Sequence, residues 1–170
     1  IFSTIITLIF TIAVFNRYRA RGGAHLLLWA IGLAFYGLGT GMEVVLGLTF
    51  NTLALKLWYL SGAMLTAAWL GQGTVNLLVR QRSVAQAANI LLLLVSLTAL
   101  GLIIVAPVQP AAGFHPSLPV STQYKDILTR SGLTVAMTIL LNAYGTLTLV
   151  GGALYSAFLF WRKKVLFNRM

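Results

Sequence analysis

The sequence predicts an all-α integral membrane protein, a polytopic bundle of five helical spans. Three observations predict it. Apolar residues make up 59% of the 170-residue chain and charged residues only 8%, with a mean hydropathy of +0.90. A soluble domain carries roughly 25% charged residues to cover its surface, so this chain must turn its outer surface to something apolar. The apolar residues fall in long runs without period-two alternation, which selects helices over a barrel. The basic residues gather at alternate ends of those runs.

In chain order the runs cover 1–15, 24–48, 53–78, 87–105 and 133–160. The last four suit tilted spans. The first, with 15 residues, falls short of the roughly 20 that a spanning helix needs. It opens on Ile1 in mid-run and is expected to be the truncated end of a longer span. Met170 follows a basic cluster, so both ends are expected to be edges of a fragment.

The connections set the orientation. Arg17, Arg19 and Arg21 follow the first run, Arg80 and Arg82 the third, and Arg162, Lys163, Lys164 and Arg169 the fifth; these are nine of the twelve basic residues. The connection "TFNT" carries no charge, and the segment 106–132 carries Lys125 and Arg130 beside Asp126. The positive-inside rule then puts the N-terminus outside and the C-terminus in the cytoplasm. Tyr18, Phe158, Phe160 and Trp161 fall at the inner level, and Phe50, Trp58 and Tyr59 at the outer one, where amphipathic rings prefer to lie.

The net charge of +10 forms no continuous patch, which excludes a nucleic-acid partner and leaves membrane lipids. The absence of cysteine excludes disulfides, thiolate chemistry and cysteine metal sites. All four prolines, Pro107, Pro110, Pro116 and Pro119, lie in the segment 106–132. The stretch 106–120 is therefore expected to be an extended surface loop. In "STQYKDILTR", Tyr124, Ile127 and Leu128 share one helical face, with Ser121 or Thr122 as a cap. It reads equally as a short helix lying on the membrane or as a lead-in turn of the fifth span.

Glu43 is one of two acidic residues in the chain. It lies about 9 Å below the Thr49 end of its helix, and Lys56 about 6 Å below Thr52 on the next. The tight connection makes these helices antiparallel neighbours. A structural ion pair of Glu43 with Lys56 is therefore expected. Gly37 and Gly41 form a GxxxG, and Ala63, Ala67 and Gly71 repeat every four residues, the spacing that lets helix backbones approach closely. Gln72, Asn76, Asn142, Tyr144 and Thr146 are expected to hydrogen-bond between the third and fifth spans, or to line a ligand pocket. The fourth span is apolar nearly all round and should face lipid or an apolar partner. His25 lies at the lip of a span beside Arg21, and His115 lies in the proline-rich segment; neither is placed to ligate a cofactor. No nucleophile–base–acid set, phosphate loop or metal-ligand spacing is present. No catalytic residue, metal or cofactor is assigned.

The stretch from Ala24 to Gly71 resembles the seven-helix membrane regions at the front of some bacterial sensor histidine kinases. The resemblance rests on basic Arg19 and Arg21 before a helix with Trp29 and Tyr36 and a late Glu43, then a short turn and a helix opening with Lys56, Trp58 and Tyr59. The chain is similar, too, to bacterial polytopic membrane proteins with the same helices and no kinase. The resemblance implies the bacterial cytoplasmic membrane and a sensing or anchoring role in signalling. The scarcity of internal polar groups and the apolar fourth span point instead to a non-catalytic accessory subunit of a larger respiratory or photosynthetic assembly, with other membrane subunits as partners. Both functions are carried forward.

Overall fold

The computed structural model describes residues 2–109 and 113–167, with side chains described as far as Arg162. Among them, helix α1 runs Phe2–Arg21, α2 Ala24–Leu48, α3 Thr52–Leu78, α4 Arg82–Val105, α5 Val120–Ile127 and α6 Gly132–Phe167. The molecule is all-helical, and four of these helices, α2, α3, α4 and α6, are long and apolar enough to cross a membrane. Helices α1, α4 and α6 overrun the apolar runs into the arginines that flank them. Long basic side chains tolerate this because they reach from a helix end toward water. Pro110, Arg169 and Met170 lie outside the described residues, as do the side chains of Lys163 and Lys164.

Local chemistry sets each boundary. Gly22 and Gly23 turn α1 into α2 with φ of 68° and 103°, a region that glycine enters without a Cβ penalty. The Asn51 side chain accepts the Ala54 N–H at 2.9 Å and caps α3, satisfying one of its orphan donors. Helix α4 stops at Val105, because Pro107 disfavours the helical region for Ala106.

The helices form a row. Helix α1 packs on α2, α2 on α3 and α3 on α6, while α4 leans on α3 and α6. Helix α3 is central, and both of its working faces are built from small residues. A Cβ on Gly39 of α2 would come within 2.9 Å of Gly62 Cα on α3. A Cβ on Gly145 of α6 would run into the Ala67 carbonyl, and one on Gly71 would stand 3.0 Å from Gly145 Cα. Where backbones touch this closely, dispersion and interhelical hydrogen bonds hold the helices, without help from the hydrophobic effect. Ala67 and Gly71 thus lie in the α3–α6 seam, and the Ala63 carbonyl accepts from Asn142 Nδ2 at 2.7 Å. Gly37 and Gly41 face α1 instead, at 3.5 Å from Thr7 Cγ2 and 3.7 Å from Thr4 Cγ2 for a notional Cβ.

Tyr59–Leu65 of α3 is wound as a π-helix. The Ser61 carbonyl accepts from both the Thr66 N–H and, at 2.8 Å, the Thr66 hydroxyl. Within this turn Gly62 lies against Gly39 of α2, and the Ala63 carbonyl is left for Asn142 of α6.

Near the Arg80 turn a polar knot joins three helices. Gln72 is wholly buried. Its Nε2 donates to Asn89 Oδ1 at 2.6 Å, and Asn76 Nδ2 donates to the same oxygen at 2.7 Å. Asn89 Nδ2 donates back to Asn76 Oδ1 at 3.2 Å, and the Tyr144 hydroxyl donates to Gln72 Oε1. The knot ties α3 to α4 as well as to α6, because Asn89 lies one turn beyond Ala85 on the buried stripe of α4. Thr146 is exposed and takes no part; its side chain lies round the helix from the seam that holds Gly145.

The described residues of 106–120 depart from the expected extended surface loop. Val108 pairs with Leu128 in an antiparallel bridge, with Gln109 N–H donating to Ile127 O at 2.9 Å and Thr129 N–H to Pro107 O at 3.0 Å. The buried Gln123 side chain accepts from His115 N–H at 2.9 Å and donates to the carbonyls of His115 and Leu118 at 3.0 and 2.9 Å. Phe114 packs on Phe50 with ring centroids 5.1 Å apart. The prolines remove donors, and Gln123 and the bridge supply the partners that the remaining backbone needs. The result is a folded cap over the α2–α3 turn. Helix α5 is a separate element with Pro119 at its N-cap, so neither Ser121 nor Thr122 caps it; the Thr122 hydroxyl donates to Pro119 O at 2.7 Å. Ile127 and Leu128 are buried, and Lys125 and Asp126 are exposed.

Replacing Gly145 by Ala should destabilise the protein by about 1–3 kcal/mol, since the obstructing atoms are backbone and cannot turn aside. Gly151→Ala meets nothing within 4 Å and should change stability by less than about 0.5 kcal/mol. Asn89→Leu leaves Gln72 Nε2 only the Ala85 carbonyl at 3.5 Å and Asn76 Nδ2 only the Gln72 carbonyl at 3.0 Å, strands Asn76 Oδ1, and should cost about 1–3 kcal/mol. Thermal unfolding in neutral detergent checks all three.

Candidate functional site

Glu43 stands at the wall between two cavities near the α2–α3 turn. One, of ≈270 Å³, lies between α2 and α3 and is lined by Tyr36, Gly39, Thr40, Glu43, Trp58, Gly62 and Ala63. The other, of ≈280 Å³, lies between Glu43, Gly47 and the cap residues Pro116 to Val120. The geometry follows from helical spacing. Tyr36, Thr40, Glu43 and Gly47 recur at four, three and four residues along one face of α2. Trp58 and Gly62 are four apart on the facing side of α3. Gly47 leaves open space in the second cavity, since a Cβ there would meet nothing within 4 Å, whereas Gly39 and Gly62 close on each other at the base of the first.

The surroundings commit most other polar groups elsewhere. The Thr40 hydroxyl donates to Gly37 O at 3.1 Å on its own helix. Trp58 packs on Tyr124 with centroids 5.4 Å apart and on Tyr59 at 6.4 Å. Arg130 lies 4.9 Å over the Tyr124 ring and 6.0 Å from that of Tyr59, a cation–π placement. The Tyr59 hydroxyl meets Thr138 Oγ1 at 3.0 Å.

The expected pair of Glu43 with Lys56 is not formed. Lys56 Nζ donates to the Ile104 carbonyl at 2.7 Å, one of the last carbonyls of α4, which lack partners within their own helix. The reason is angular. The α3 face toward Glu43 carries Trp58 and Gly62, and two residues along a helix turn a side chain about 200° away. The two helices of the hairpin do pack on each other, but α3 is rotated so that Lys56 faces α4. A cation at the C-terminal end of α4 is favoured by the helix dipole, so Lys56 gains a partner there. Among the described residues, no basic side chain lines either cavity.

His25 lies edge-on to Trp29 with centroids 5.5 Å apart, and His115 is bound through its backbone to Gln123. Neither lines Glu43's cavities, although His115 directly precedes Pro116 of the second. A third cavity of ≈390 Å³ separates α4 from α6, lined by Leu92, Val95, Met137, Leu141 and Tyr144 among others. It is almost wholly apolar, and the hydroxyl of Tyr144 is committed to Gln72. Tyr36, Thr40 and Trp58 were not assigned to a site from sequence, although their spacing from Glu43 and across the turn was legible. One carboxylate beside hydroxyl and indole groups suits recognition.

No protein-family model, curated protein or solved structure matches this chain.

Glu43→Gln and Lys56→Met should combine with a coupling below about 0.5 kcal/mol in a double-mutant cycle on thermal stability, because the side chains are not in contact. Lys56→Met alone should cost about 0.3–1 kcal/mol through the lost interaction at the α4 end.

Proposed function

We propose that this chain is a non-catalytic, five-span helical region of the bacterial cytoplasmic membrane that recognises a small molecule at Glu43 from the outer side. The observation that carries the reading is the pair of cavities that meet at one carboxylate beneath a folded cap. A sequence this poor in carboxylates keeps one where a crevice reaches it and where no basic side chain lines the walls. Structural ion pairing does not account for it. This is the sensing role that the resemblance to kinase membrane regions implies. The form of α6 supports it: at 36 residues the helix extends about 54 Å, well beyond a hydrocarbon core of about 30 Å. A rigid rod of that length joins the capped end to the basic end and projects past it. The orientation rests on the alternation of basic connections and the positive-inside rule.

A second reading, the accessory subunit of a larger membrane assembly, is favoured by the open row of helices. Helix α1 packs chiefly on α2, and Phe2, Ile5, Ile9 and Ile12 are left uncovered. Lipid covers such a face as well as a subunit does, so the row decides less than the crevice. Stable co-purification with cofactor-bearing subunits would shift the weight to this reading.

Two experiments test the first reading. A cysteine placed at Ser117 should react with an impermeant thiol reagent in intact cells, and one at Gln81 only after permeabilisation; the reverse pattern would invert the topology. Purified protein should be thermally stabilised by at least one class in a panel of small neutral, anionic and cationic molecules. That stabilisation should vanish in Thr40→Leu, which fills the crevice without removing an interhelical hydrogen bond. A panel without effect, or effects that survive Thr40→Leu, would reject the recognition role.

A further inference from the structure

From the walls of the crevice we infer the class of ligand: a small organic ammonium ion, its charge on Glu43 and its carbon groups against Trp58 and Tyr36. This inference rests on the recognition reading above and sharpens it.

Charge comes first. Glu43 is the one ionisable acid lining either cavity, and no Lys, Arg or His lines them. Lys56 is turned to the Ile104 carbonyl, and Arg130 lies over Tyr124 and Tyr59. Lys125 and Asp126 are exposed on α5. An anionic ligand would therefore meet a carboxylate with no compensating cation. Glu43 is itself exposed, so a neutral ligand would gain nothing from the carboxylate, whereas a cation would gain a charge-assisted contact.

The kind of cation comes second. A divalent metal ion requires several anionic or carbonyl ligands at short range. Among the described residues, no group of three His, Cys, Asp or Glu side chains is gathered, and the Thr40 hydroxyl already donates within its helix. Glu43 alone cannot strip the hydration shell from such an ion. An organic ammonium needs less. It carries one charge, is weakly hydrated when alkylated, and is attracted to the faces of Trp and Tyr rings. Trp58 and Tyr36 supply those rings in the same cavity as the carboxylate.

Size comes third. Cavities of ≈270 and ≈280 Å³ each lie near the lower limit of about 300 Å³ for small-molecule sites. The fit is to a compact amine with a short substituent.

The test measures equilibrium binding of radiolabelled tetramethylammonium, choline and benzyltrimethylammonium to the purified full chain in neutral detergent at low ionic strength. Saturable binding of at least one probe is expected. Glu43→Gln should weaken it at least tenfold, and Trp58→Leu, which keeps the carboxylate, should also weaken it several-fold. Helical circular dichroism and thermal midpoint, followed in parallel, identify any variant whose loss reflects misfolding, and Glu43→Gln is close to isosteric. For choline, the neutral isostere 3,3-dimethyl-1-butanol should not compete. Failure of all three probes to bind, or binding unaffected by Glu43→Gln, would overturn the ammonium assignment. Equal competition by the neutral isostere, or a Thr40→Leu-sensitive neutral or anionic ligand in the thermal panel, would overturn it while leaving the recognition reading intact. Loss of choline binding to sodium chloride at the same concentration would reduce the site to unspecific charge attraction and overturn it as well.

Discussion

Everything in this molecule depends on how closely α3 is held between its neighbours. On one face Gly62 meets Gly39 of α2, and on another Ala67 and Gly71 meet Gly145 of α6. In hydrocarbon, apolar side chains gain little by leaving lipid for one another. Close backbone contact and interhelical hydrogen bonds do the holding. Both need small residues at fixed positions, so these contacts set the distance of α3 from α2 and α6 and its rotation about its own axis.

The rotation has consequences at both ends. Toward the Arg80 turn it directs Gln72 and Asn76 at Asn89, which secures α4 to the row although that helix shares few small-residue contacts with it. Three amides and the Tyr144 hydroxyl then satisfy one another, the condition under which buried polar groups stabilise and do not penalise a core. Toward the cap it directs Trp58 and Gly62 at Glu43 and Lys56 at the end of α4. Each charged group is thereby given a different task. The lysine closes an orphan carbonyl, and the carboxylate faces a crevice. The π-helical turn at Tyr59–Leu65 belongs to the same arrangement, since it lets neighbouring residues of one strand of helix serve two partners. Such turns are frequent at functional sites.

The sequence made much of this legible, and the limits have physical causes. Composition and run length are properties of solvation, and they foresaw the helices because the bilayer imposes length and apolarity. Small-residue spacing drew attention to Ala63, Ala67 and Gly71; Ala67 and Gly71 lie against Gly145, while Ala63 offers α6 its carbonyl. Depth along a helix is additive in residue number, so the sequence could set Glu43 and Lys56 at similar distances from the α2–α3 turn. Facing direction is not additive across a turn: it depends on where the glycine contacts stop the helix from rotating. For that reason the pair was expected and a crevice was found. Asn89 was hidden by the apolar residues after it, and the cap by its prolines, which forbid helix but do not forbid the bridge to Leu128 or the bonds to Gln123.

The rotation of α3 is therefore the claim on which the reading of Glu43 stands, and the cysteine-free chain lets it be measured directly. Lys56→Cys would be combined with Ile104→Cys in one protein and with Glu43→Cys in another. Each would be treated with a short bifunctional thiol reagent in native membranes. The account predicts rapid intramolecular cross-linking of the 56–104 pair and little of the 43–56 pair. Rapid cross-linking of 43–56 with none of 56–104 would contradict it and return Glu43 to a structural ion pair.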